Sequence, residues 1–306
     1  MERVTGAADV IVVGGINCDI SAAVDGQFVP RSSNPGTVSL AAGGVGRNIA
    51  HGLALLETPV ALVGVAGRDP LSDWVLQGTA AAGVDVQSVL RLEEARVGTY
   101  VSIVAAGEME TAVSDMTAVD VLTPERVVSA LEYTAARGVP KTVIVDLNIA
   151  ASAVQAVLEW SMERGVPVVI EPVSVAKAHR LEGLRGEIAL VTPNTAEARV
   201  LGALDVAGRL PKISRWVVTR GAAGCAVWDR DAATGQLFPS RGVDGTNANG
   251  AGDAFVAGFV AAMVTGAELE VCVSWGLSAG AITVQSPHTV APELSRAAVN
   301  AGIDRQ

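Results

Sequence analysis

The feature that most constrains the fold is an alternation of short β-rich apolar runs with longer helical patterns along the 306-residue chain. Repeated strand–helix–strand units predict an α/β fold with a mostly parallel sheet and helices on both faces. A (β/α)₈ barrel is the alternative, but it does not predict glycine-rich motifs at the starts of helices. The expected strands cover 10–14, 60–65, 142–146, 167–170, 188–192, 216–219 and 224–228. The expected helices cover 47–56, 71–82, 124–137, 151–164, 194–203, 251–265 and 268–285.

Two regions interrupt this rhythm, at about 18–40 and 96–116. The first contains Pro30 and Pro35 among short apolar runs, and the second is typical of a hairpin with a turn at Gly107. Together they could form a small antiparallel sheet that projects as a lid, or they are two unrelated surface excursions. We expect one domain over 1–306 that carries this lid.

Composition restricts the partners. The formal net charge is −10, whereas nucleic acids and anionic membranes require a basic face, so both are excluded as expected partners. The cysteines Cys18, Cys225 and Cys272 are odd in number and widely spaced, which favours free thiols in a reducing compartment. The residues at the start do not resemble a signal peptide. We expect a cytoplasmic protein that acts on small molecules.

The most informative motif is Asn247-Ala248-Asn249-Gly250-Ala251-Gly252-Asp253, which opens a strongly apolar helix. Gly250 and Gly252 let backbone amides approach a ligand, and the helix N-terminus favours an anion there. A carboxylate at Asp253 is suited to taking a proton from an attacking hydroxyl. The combination suggests phosphoryl transfer; the alternative is that Asp253 only caps or charges the first helical turn. The chain has no Gly-Lys dipeptide, which excludes a P-loop.

Two further motifs are expected to face an acceptor. Gly43-Gly44-Val45-Gly46-Arg47-Asn48 lies where a helix begins, and Asn48 offers both a donor and an acceptor for hydroxyl groups. Asn17 and Asp19 follow the first strand, and ligands of open parallel sheets bind beyond the carboxyl ends of strands. The alternatives are a plain turn into a helix for the first motif and an Asx-turn for Asp19.

Two motifs are expected near a nucleotide. Asn194 and Glu197 lie three residues apart where a helix starts, and they could hold the water shell of Mg²⁺. The alternative is an N-cap with a glutamate at the N3 position. Thr219-Arg220-Gly221-Ala222-Ala223-Gly224 leaves a strand through a glycine turn, which could form a floor for phosphates.

The order of these motifs resembles the ribokinase-like sugar kinases of the phosphofructokinase-B group over essentially the whole chain. The resemblance implies a three-layer α/β sandwich with a β-sheet lid, ATP as donor and Mg²⁺ as metal. It implies that Asp253 is the base and that the amides of Gly250, Ala251 and Gly252 form an anion hole. Residues implied to contact the acceptor are Asn17, Asp19, Gly43, Gly44 and Asn48. Those implied for nucleotide and metal are Asn194, Glu197, Thr219, Gly221 and Gly224.

The sequence departs from the family at the start of the helix motif. Asn247 and Asn249 stand where many relatives carry an acidic residue and a threonine. Relatives often hold a monovalent cation beside the anion hole, so the neutral Asn247 weakens the expectation of a K⁺ site. Backbone carbonyls around Ser286 could still coordinate K⁺.

Several stretches resemble the members of the family that phosphorylate the 5′-hydroxyl of pseudouridine. They include Ser33-Asn34-Pro35-Gly36, Asp146-Leu147-Asn148 and Pro172-Val173-Ser174-Val175-Ala176-Lys177. Arg47 is specific to this resemblance, and its guanidinium could pair with a nucleobase carbonyl or a diol; the alternative is a plain surface arginine. A kinase for ribose or another nucleoside, and a non-catalytic nucleoside-binding regulator, remain open. The lid's edge strands make a homodimer plausible.

Overall fold

The computed structural model describes residues 6–230, 232, 234–240, 242–243 and 248–304. The strands, in chain order, are β1 (Val10–Val13), β2 (Asn17–Val24), β3 (Gly36–Gly43), β4 (Val60–Val63), β5 (Val65–Gly67), β6 (Leu90–Leu92), β7 (Gly98–Ala105), β8 (Glu108–Asp115), β9 (Thr142–Asp146), β10 (Val168–Glu171), β11 (Glu187–Val191), β12 (Lys212–Thr219), β13 (Cys225–Asp229) and β14 (Gln236–Phe238).

The helices follow the same order as the predicted helical stretches, with two short or terminal additions. They are α1 (Val45–Leu55), α2 (Pro70–Ala81), α3 (Pro124–Ala135), α4 (Ala151–Arg164), α5 (Val175–Ala178), α6 (Thr195–Val206), α7 (Ala251–Met263), α8 (Leu269–Val284) and α9 (Arg296–Asp304). Neither α5 nor α9 is among the helices predicted from the sequence.

The main sheet has eight strands in the order β14-β13-β12-β11-β10-β9-β1-β4. Its strands from β12 to β4 are parallel, and β13 and β14 are antiparallel at one edge. Alternate side chains of each strand point to opposite faces, so Val10 and Val12 pack into one core while Ile11 and Val13 pack into the other. Helices α1, α7 and α8 cover the first core, and α3, α4 and α6 cover the second. The predicted three-layer α/β class is confirmed.

A separate sheet of four strands, in the order β3-β2-β7-β8, contains the two regions that interrupt the rhythm of the sequence. It differs from the expected antiparallel sheet in one respect, because its central pair β2–β7 is parallel. The two hairpins β2–β3 and β7–β8 are each antiparallel and meet side by side. We call this four-stranded sheet the lid.

The two faces of the lid differ in chemistry. Registered pairs place Asp19, Ser21, Ser39, Tyr100, Ser102 and Ser114 on one face. The other face carries two apolar rows across the strands, Leu40-Ile20-Val101-Val113 and Val38-Ala22-Ile103. The lid therefore has a small polar face on the side of Asp19 and an apolar face on the opposite side.

Two further properties bear on the expected location. The thiols of Cys18, Cys225 and Cys272 are buried, and none of them forms a disulfide. Within the described ranges, none of the helices combines the length and apolar character required to cross a bilayer.

Candidate active site

Asp253 lies in the first turn of α7, a helix that begins with Gly250 in the left-handed conformation (φ 78°). A side chain at Gly250 would collide with the carbonyl oxygen of Thr289, so the close approach of this turn to the segment after α8 requires glycine. The carboxylate Oδ2 of Asp253 accepts a hydrogen bond from Asn48 Nδ2 at 2.9 Å. The side chain is thus turned toward α1, which is not the geometry of a residue that merely caps its own helix.

The environment of Asp253 suits a proton acceptor. Burial raises its pKa from the ordinary 3.8 to about 7. The hydrogen bond from Asn48 and the charge of Arg47 lower this pKa, and the nearby carboxylate of Asp146 raises it. A general base works best when its pKa lies near the operating pH, because it is then both available and basic. The first turn of α7 therefore carries a carboxylate that can exchange a proton near neutrality.

A cavity of about 650 Å³ opens beside this turn. Its lining contains four of the residues predicted for the nucleotide, Asn194, Thr219, Gly221 and Gly224, and two of the predicted anion hole, Ala251 and Gly252. Apolar side chains, including Phe255, Leu277 and Val284, complete its wall. A cavity of this volume, lined by glycine turns and apolar side chains, can hold a nucleotide whose phosphates face the amides at the start of α7.

Asn194 and Glu197 form a capping box at the start of α6. The side chain of Asn194 accepts from the amides of Ala196 and Glu197, while Glu197 accepts from the backbone N–H and the Nδ2 of Asn194 at 2.9 and 2.7 Å. The alternative left open by the sequence, an N-cap with glutamate at N3, is therefore what the structure shows. Only Asn194 of the pair lines the cavity, whereas Glu197 is buried and its pKa is raised by burial.

The acceptor-side residues gather where β1 ends and α1 begins. Asn17 donates from Nδ2 to Asp19 Oδ1 at 2.6 Å, and Asp19 lies within β2 rather than in the Asx-turn that was the alternative. A side chain at Gly43 would collide with the carboxylate of Asp19, and Gly44 is the N-cap of α1 with φ 97°. These residues and Asn48 share one edge of the sheet with Asp253.

The sequence left two interpretations of Arg47 open, an arginine that contacts the acceptor and a plain surface arginine. The structure shows a buried arginine with internal hydrogen-bond partners. Its side chain is only 5% exposed, so it is not a plain surface arginine. Its guanidinium donates to internal partners on three elements rather than standing free for a ligand. Its contribution to an acceptor contact remains a prediction.

Ser286, the remaining predicted metal residue that the structure describes, does not line the cavity. Ser286 follows α8, is buried, and its Oγ accepts from the backbone N–H of His288 at 3.2 Å. Asn247 lies outside the described residues. Among the described residues, no group of three or more His, Cys, Asp or Glu side chains is arranged to hold a metal.

Three charged residues of this edge were missed as site residues by the sequence analysis: Asp146, Glu171 and Lys177. Asp146 ends β9 and is fully buried; it accepts from the amides of Gly15 and Gly46 at 2.8 and 2.6 Å. The sequence did contain a signal for two of them. Asp146 and Glu171 are each the last residue of a buried parallel strand, at the edge of the sheet where ligands bind.

Glu171 and Lys177 bring a negative and a positive group to the same edge. Burial and the neighbouring carboxylates of Asp253, Glu197 and Asp146 raise the pKa of Glu171 well above its ordinary value. Lys177 donates from Nζ to Asn148 Oδ1 at 2.5 Å, which links two of the stretches quoted for the family resemblance. Burial lowers the pKa of Lys177.

Comparison with known proteins identifies the class. Residues 7–296 match the model of the pfkB family of carbohydrate kinases. The chain therefore belongs to the pfkB carbohydrate kinase family, whose members are phosphotransferases with an alcohol acceptor.

Individual relatives narrow the comparison. The chain is 29% identical over 304 residues to a pseudouridine kinase of Escherichia coli K12, covering 95% of each. It superposes with a TM-score of 0.85 on a carbohydrate kinase from Agrobacterium tumefaciens, at 28% identity and 97% coverage of each chain. An Arabidopsis thaliana ribokinase complexed with ribose and ATP gives a TM-score of 0.80 at 21% identity, covering 97% of this chain and 99% of that one, which supports the fold. The predicted family and fold are confirmed.

Proposed function

We propose that this kinase transfers the γ-phosphoryl group of ATP to the 5′-hydroxyl of pseudouridine. The observation that carries the proposal is the hydrogen bond between Asp253 and Asn48. It connects the first turn of α7, which borders the cavity, to the residues predicted to contact the acceptor. The pseudouridine kinase relative supports the choice of acceptor, because it is similar to this chain over nearly its whole length. The ATP complex of the ribokinase neighbour supports the choice of donor.

The chemistry follows from the positions of these groups. Asp253 takes the proton of the 5′-hydroxyl as that oxygen forms a bond to the γ-phosphorus, and the bond from this phosphorus to the β–γ bridging oxygen breaks. ADP leaves with the electron pair of the broken bond. Gly250, Ala251 and Gly252 present the helix N-terminus to the charge that develops on the transferred group. No covalent enzyme intermediate is required.

Magnesium, as the proposed metal, would neutralise charge on the phosphates. We propose that Asn194 and Glu197, with Glu171 nearby, face its water shell. The carboxylate of Glu197 raises the pKa of Glu171, so the two groups would repel each other if both were ionised. A divalent cation with its waters would relieve that repulsion.

For K⁺, Ser286 and Asn247 remain the proposed residues.

Two features of the lid fit a nucleoside acceptor. The lid face that carries Asp19 is lined by serines and by Tyr100, so it offers hydroxyl partners and one aromatic ring. Asn34 holds the loop between β2 and β3, because its Oδ1 accepts from Val29 N at 2.8 Å and its Nδ2 donates to Val29 O at 3.0 Å. The Ser33-Asn34-Pro35-Gly36 stretch thus gives this part of the lid a defined shape. We place the base under the lid and the ribose near Asp19.

The acceptor is tested by ATP consumption against pseudouridine, uridine, adenosine, ribose and fructose, with Mg²⁺ and with or without K⁺. We expect the highest kcat/KM for pseudouridine and a loss of turnover when EDTA removes the metal. A strong preference for a free hexose would contradict the pseudouridine assignment while leaving the kinase class intact. Ligand binding without ATP turnover would favour a nucleoside-binding regulator.

We also propose that the lid forms a homodimer with a second copy of the chain. Its apolar face leaves Val38 60%, Leu40 49% and Val113 67% exposed. These residues lie on the two edge strands β3 and β8, and Ile20 and Val101 connect Leu40 to Val113 in one registered row. A contiguous apolar patch of this kind favours burial against a matching surface. We expect sedimentation velocity to show a dimer for the native chain and a monomer for Leu40→Asp and Val113→Asp. The matched substitution Ser39→Asp, on the opposite face, should leave the dimer intact, and a native monomer would contradict the proposal.

In the cell, we propose a cytoplasmic location. The cytosol keeps thiols reduced, so the three buried cysteines remain unpaired there.

A further inference from the structure

Arg47 is a buried cation in the first turn of α1, next in sequence to Asn48. Its Nε donates to Thr79 Oγ1 at 3.2 Å, and its Nη1 donates to Ala42 O at 3.0 Å and to Asn48 Oδ1 at 3.1 Å. Its Nη2 donates to His51 Nδ1 at 2.8 Å. Because a guanidinium has only donors, Nδ1 of His51 must accept, and burial together with the charge of Arg47 lowers the pKa of His51 to about 4. Arg47 is therefore held from all sides by acceptors.

These partners belong to different elements. Ala42 lies on lid strand β3, Thr79 on α2, and Asn48 on α1 itself. One planar group thus joins lid strand β3 to the helices α1 and α2. A buried ion gives little net stability, since a well-packed apolar side chain of similar volume often does as well. The number and direction of its contacts point instead to a role in geometry.

The contact with Asn48 fixes the orientation of an amide. The Oδ1 of Asn48 accepts from Arg47, so its Nδ2 is the atom left to face Asp253, to which it donates at 2.9 Å. Without Arg47, the amide could rotate by half a turn and present Oδ1 to the carboxylate. Two acceptors would then face each other, and Asp253 would lose the donor that holds it. The orientation of Asn48 is therefore set from behind by Arg47.

The charges around Asp253 also involve Arg47. Burial lowers the pKa of Arg47 to about 10, which leaves it charged at neutral pH, and both Asp19 and Asp253 favour that charge. The groups that face Asp253 are Arg47 and Asn48 from α1, Asp146 at the end of β9 and Glu171 at the end of β10. Of these, Arg47 is the cation. Its removal would take away the cation that lowers the pKa of Asp253, while Lys177 would remain beside Asp146 and Glu171.

We propose that Arg47 is a positioning residue that aims the amide of Asn48 at Asp253 and, through Ala42, couples the lid strand β3 to the base. This inference rests on the proposed role of Asp253. It assigns Arg47 to the support of the reacting group rather than to direct contact with the acceptor. A conformational change of β3 would reach Asp253 through three successive hydrogen bonds, from Ala42 to Arg47, from Arg47 to Asn48 and from Asn48 to Asp253.

The test compares Arg47→Met, Arg47→Lys and Thr134→Val by pH profiles of kcat/KM and by kcat. Arg47→Met should lower kcat ~10- to 100-fold, as expected when a reacting group is misplaced, and should move the acidic limb of the profile to higher pH. Arg47→Lys keeps the charge but cannot serve the four acceptors at once, so its kcat should fall while the acidic limb stays near that of the native enzyme. Thr134→Val removes a buried hydroxyl that contacts Ser88 at 2.5 Å, away from the site, and should lower Tm alone.

The outcomes separate this inference from the proposed function. An inactive Asp253→Asn together with native kcat and an unmoved acidic limb in Arg47→Met would overturn only the role of Arg47. An active Asp253→Asn would overturn the role of Asp253 and, with it, this inference. If Arg47→Met does not fold, Arg47→Lys decides the matter: native kcat in that variant contradicts the positioning role, and a reduced kcat with the acidic limb retained supports it.

Discussion

Replacing Asp253 by asparagine is expected to lower kcat at least ~10²-fold, the lower end of the contribution of general acid–base catalysis. Asparagine keeps the shape of the side chain, and its Oδ1 can still accept from Asn48 Nδ2, so the geometry of the site should survive. What is lost is a group that can take the proton of the attacking hydroxyl. The measurement is steady-state ATP turnover with the best acceptor of the panel.

The pH dependence gives a second signature of the same substitution. The pKa of Asp253 is about 7, and the base acts in its ionised form. We therefore expect kcat/KM of the native enzyme to rise with pH through about 7 and to level off above it. The Asp253→Asn variant should show no such limb. Glu171→Gln is the matched control, because Glu171 is the neighbouring carboxylate: it should keep the limb that Asp253 produces.

The contribution of Asp253 to stability falls as pH rises, whereas kcat/KM is expected to increase. The two pH dependences therefore distinguish an effect on catalysis from an effect on folding. Because burial raises the pKa of Asp253 from 3.8 to about 7, its contribution to stability is fully present below pH 3.8. That contribution declines between these two values and is lost above about 7. At pH 8 the native enzyme holds an ionised, partly buried carboxylate, whereas the variant holds a neutral amide. We expect Asp253→Asn to be at least as stable at pH 8. Near-normal turnover of this variant would remove Asp253 from the role of base.

The sequence carried most of the fold because its signals were local. β1 and β9 are short, fully buried strands; β1 is apolar throughout and β9 has apolar side chains from 143 to 145. Such runs between helical patterns are typical of parallel sheets. Helices α5 and α9 were not predicted, because α5 is a single turn and α9 follows a loop after α8. The parallel pairing of β2 with β7 also escaped, since it joins residues about 80 apart in the chain and no local pattern encodes which strands of two hairpins meet.

The candidate site was predicted unevenly for a related reason. Residues in glycine-rich motifs at helix starts, such as Asp253 and Gly44, were found because the motif itself indicates a ligand. Residues that act through tertiary contacts were not, since Asp146 meets Gly15 and Gly46 from positions 131 and 100 residues away. Arg47 was found but given an outward role, because its burial depends on α2 and the lid strand rather than on its own helix. Sequence alone therefore identified candidate reacting groups more readily than the buried residues that hold them in place.

Asp146 is the support whose loss should cost the most. Its Oδ2 accepts from the amides of both Gly15 and Gly46, and its Oδ1 accepts from the amide of Asn148 at 2.8 Å. Each of these three backbone N–H groups needs a hydrogen-bond acceptor. Burial raises the pKa of Asp146, and the three N–H donors pull it back down. The carboxylate thus fastens the end of β1 and the first turn of α1, which carries Asn48, to the end of β9.

Asp146→Ala leaves three buried amides without an acceptor, at ~1–3 kcal/mol each, so we expect it to lower the free energy of unfolding by at least ~3 kcal/mol. Asp146→Asn offers one acceptor oxygen, and its Nδ2 must face one of the donors, so a loss of ~1–3 kcal/mol is expected. Both effects are large against the ~5–15 kcal/mol total stability of a typical domain. Urea denaturation measures them.

Asp146→Asn should also raise the KM for the acceptor, because the turn that carries Gly44 and Asn48 loses its attachment to the sheet. The matched control is Asp85→Asn, a second buried aspartate, which accepts from Gln87 N at 2.9 Å and pairs with Arg137 at 2.5 Å. Asp85 lies beside the start of β4, whereas Asp146 lies at the carboxyl end of β9. It should lower stability by a similar amount and leave KM unchanged. If Asp146→Asn retains both native stability and native KM, the three amides do not depend on the carboxylate. If both variants raise KM alike, the effect reflects general destabilisation rather than the junction of β1, α1 and β9.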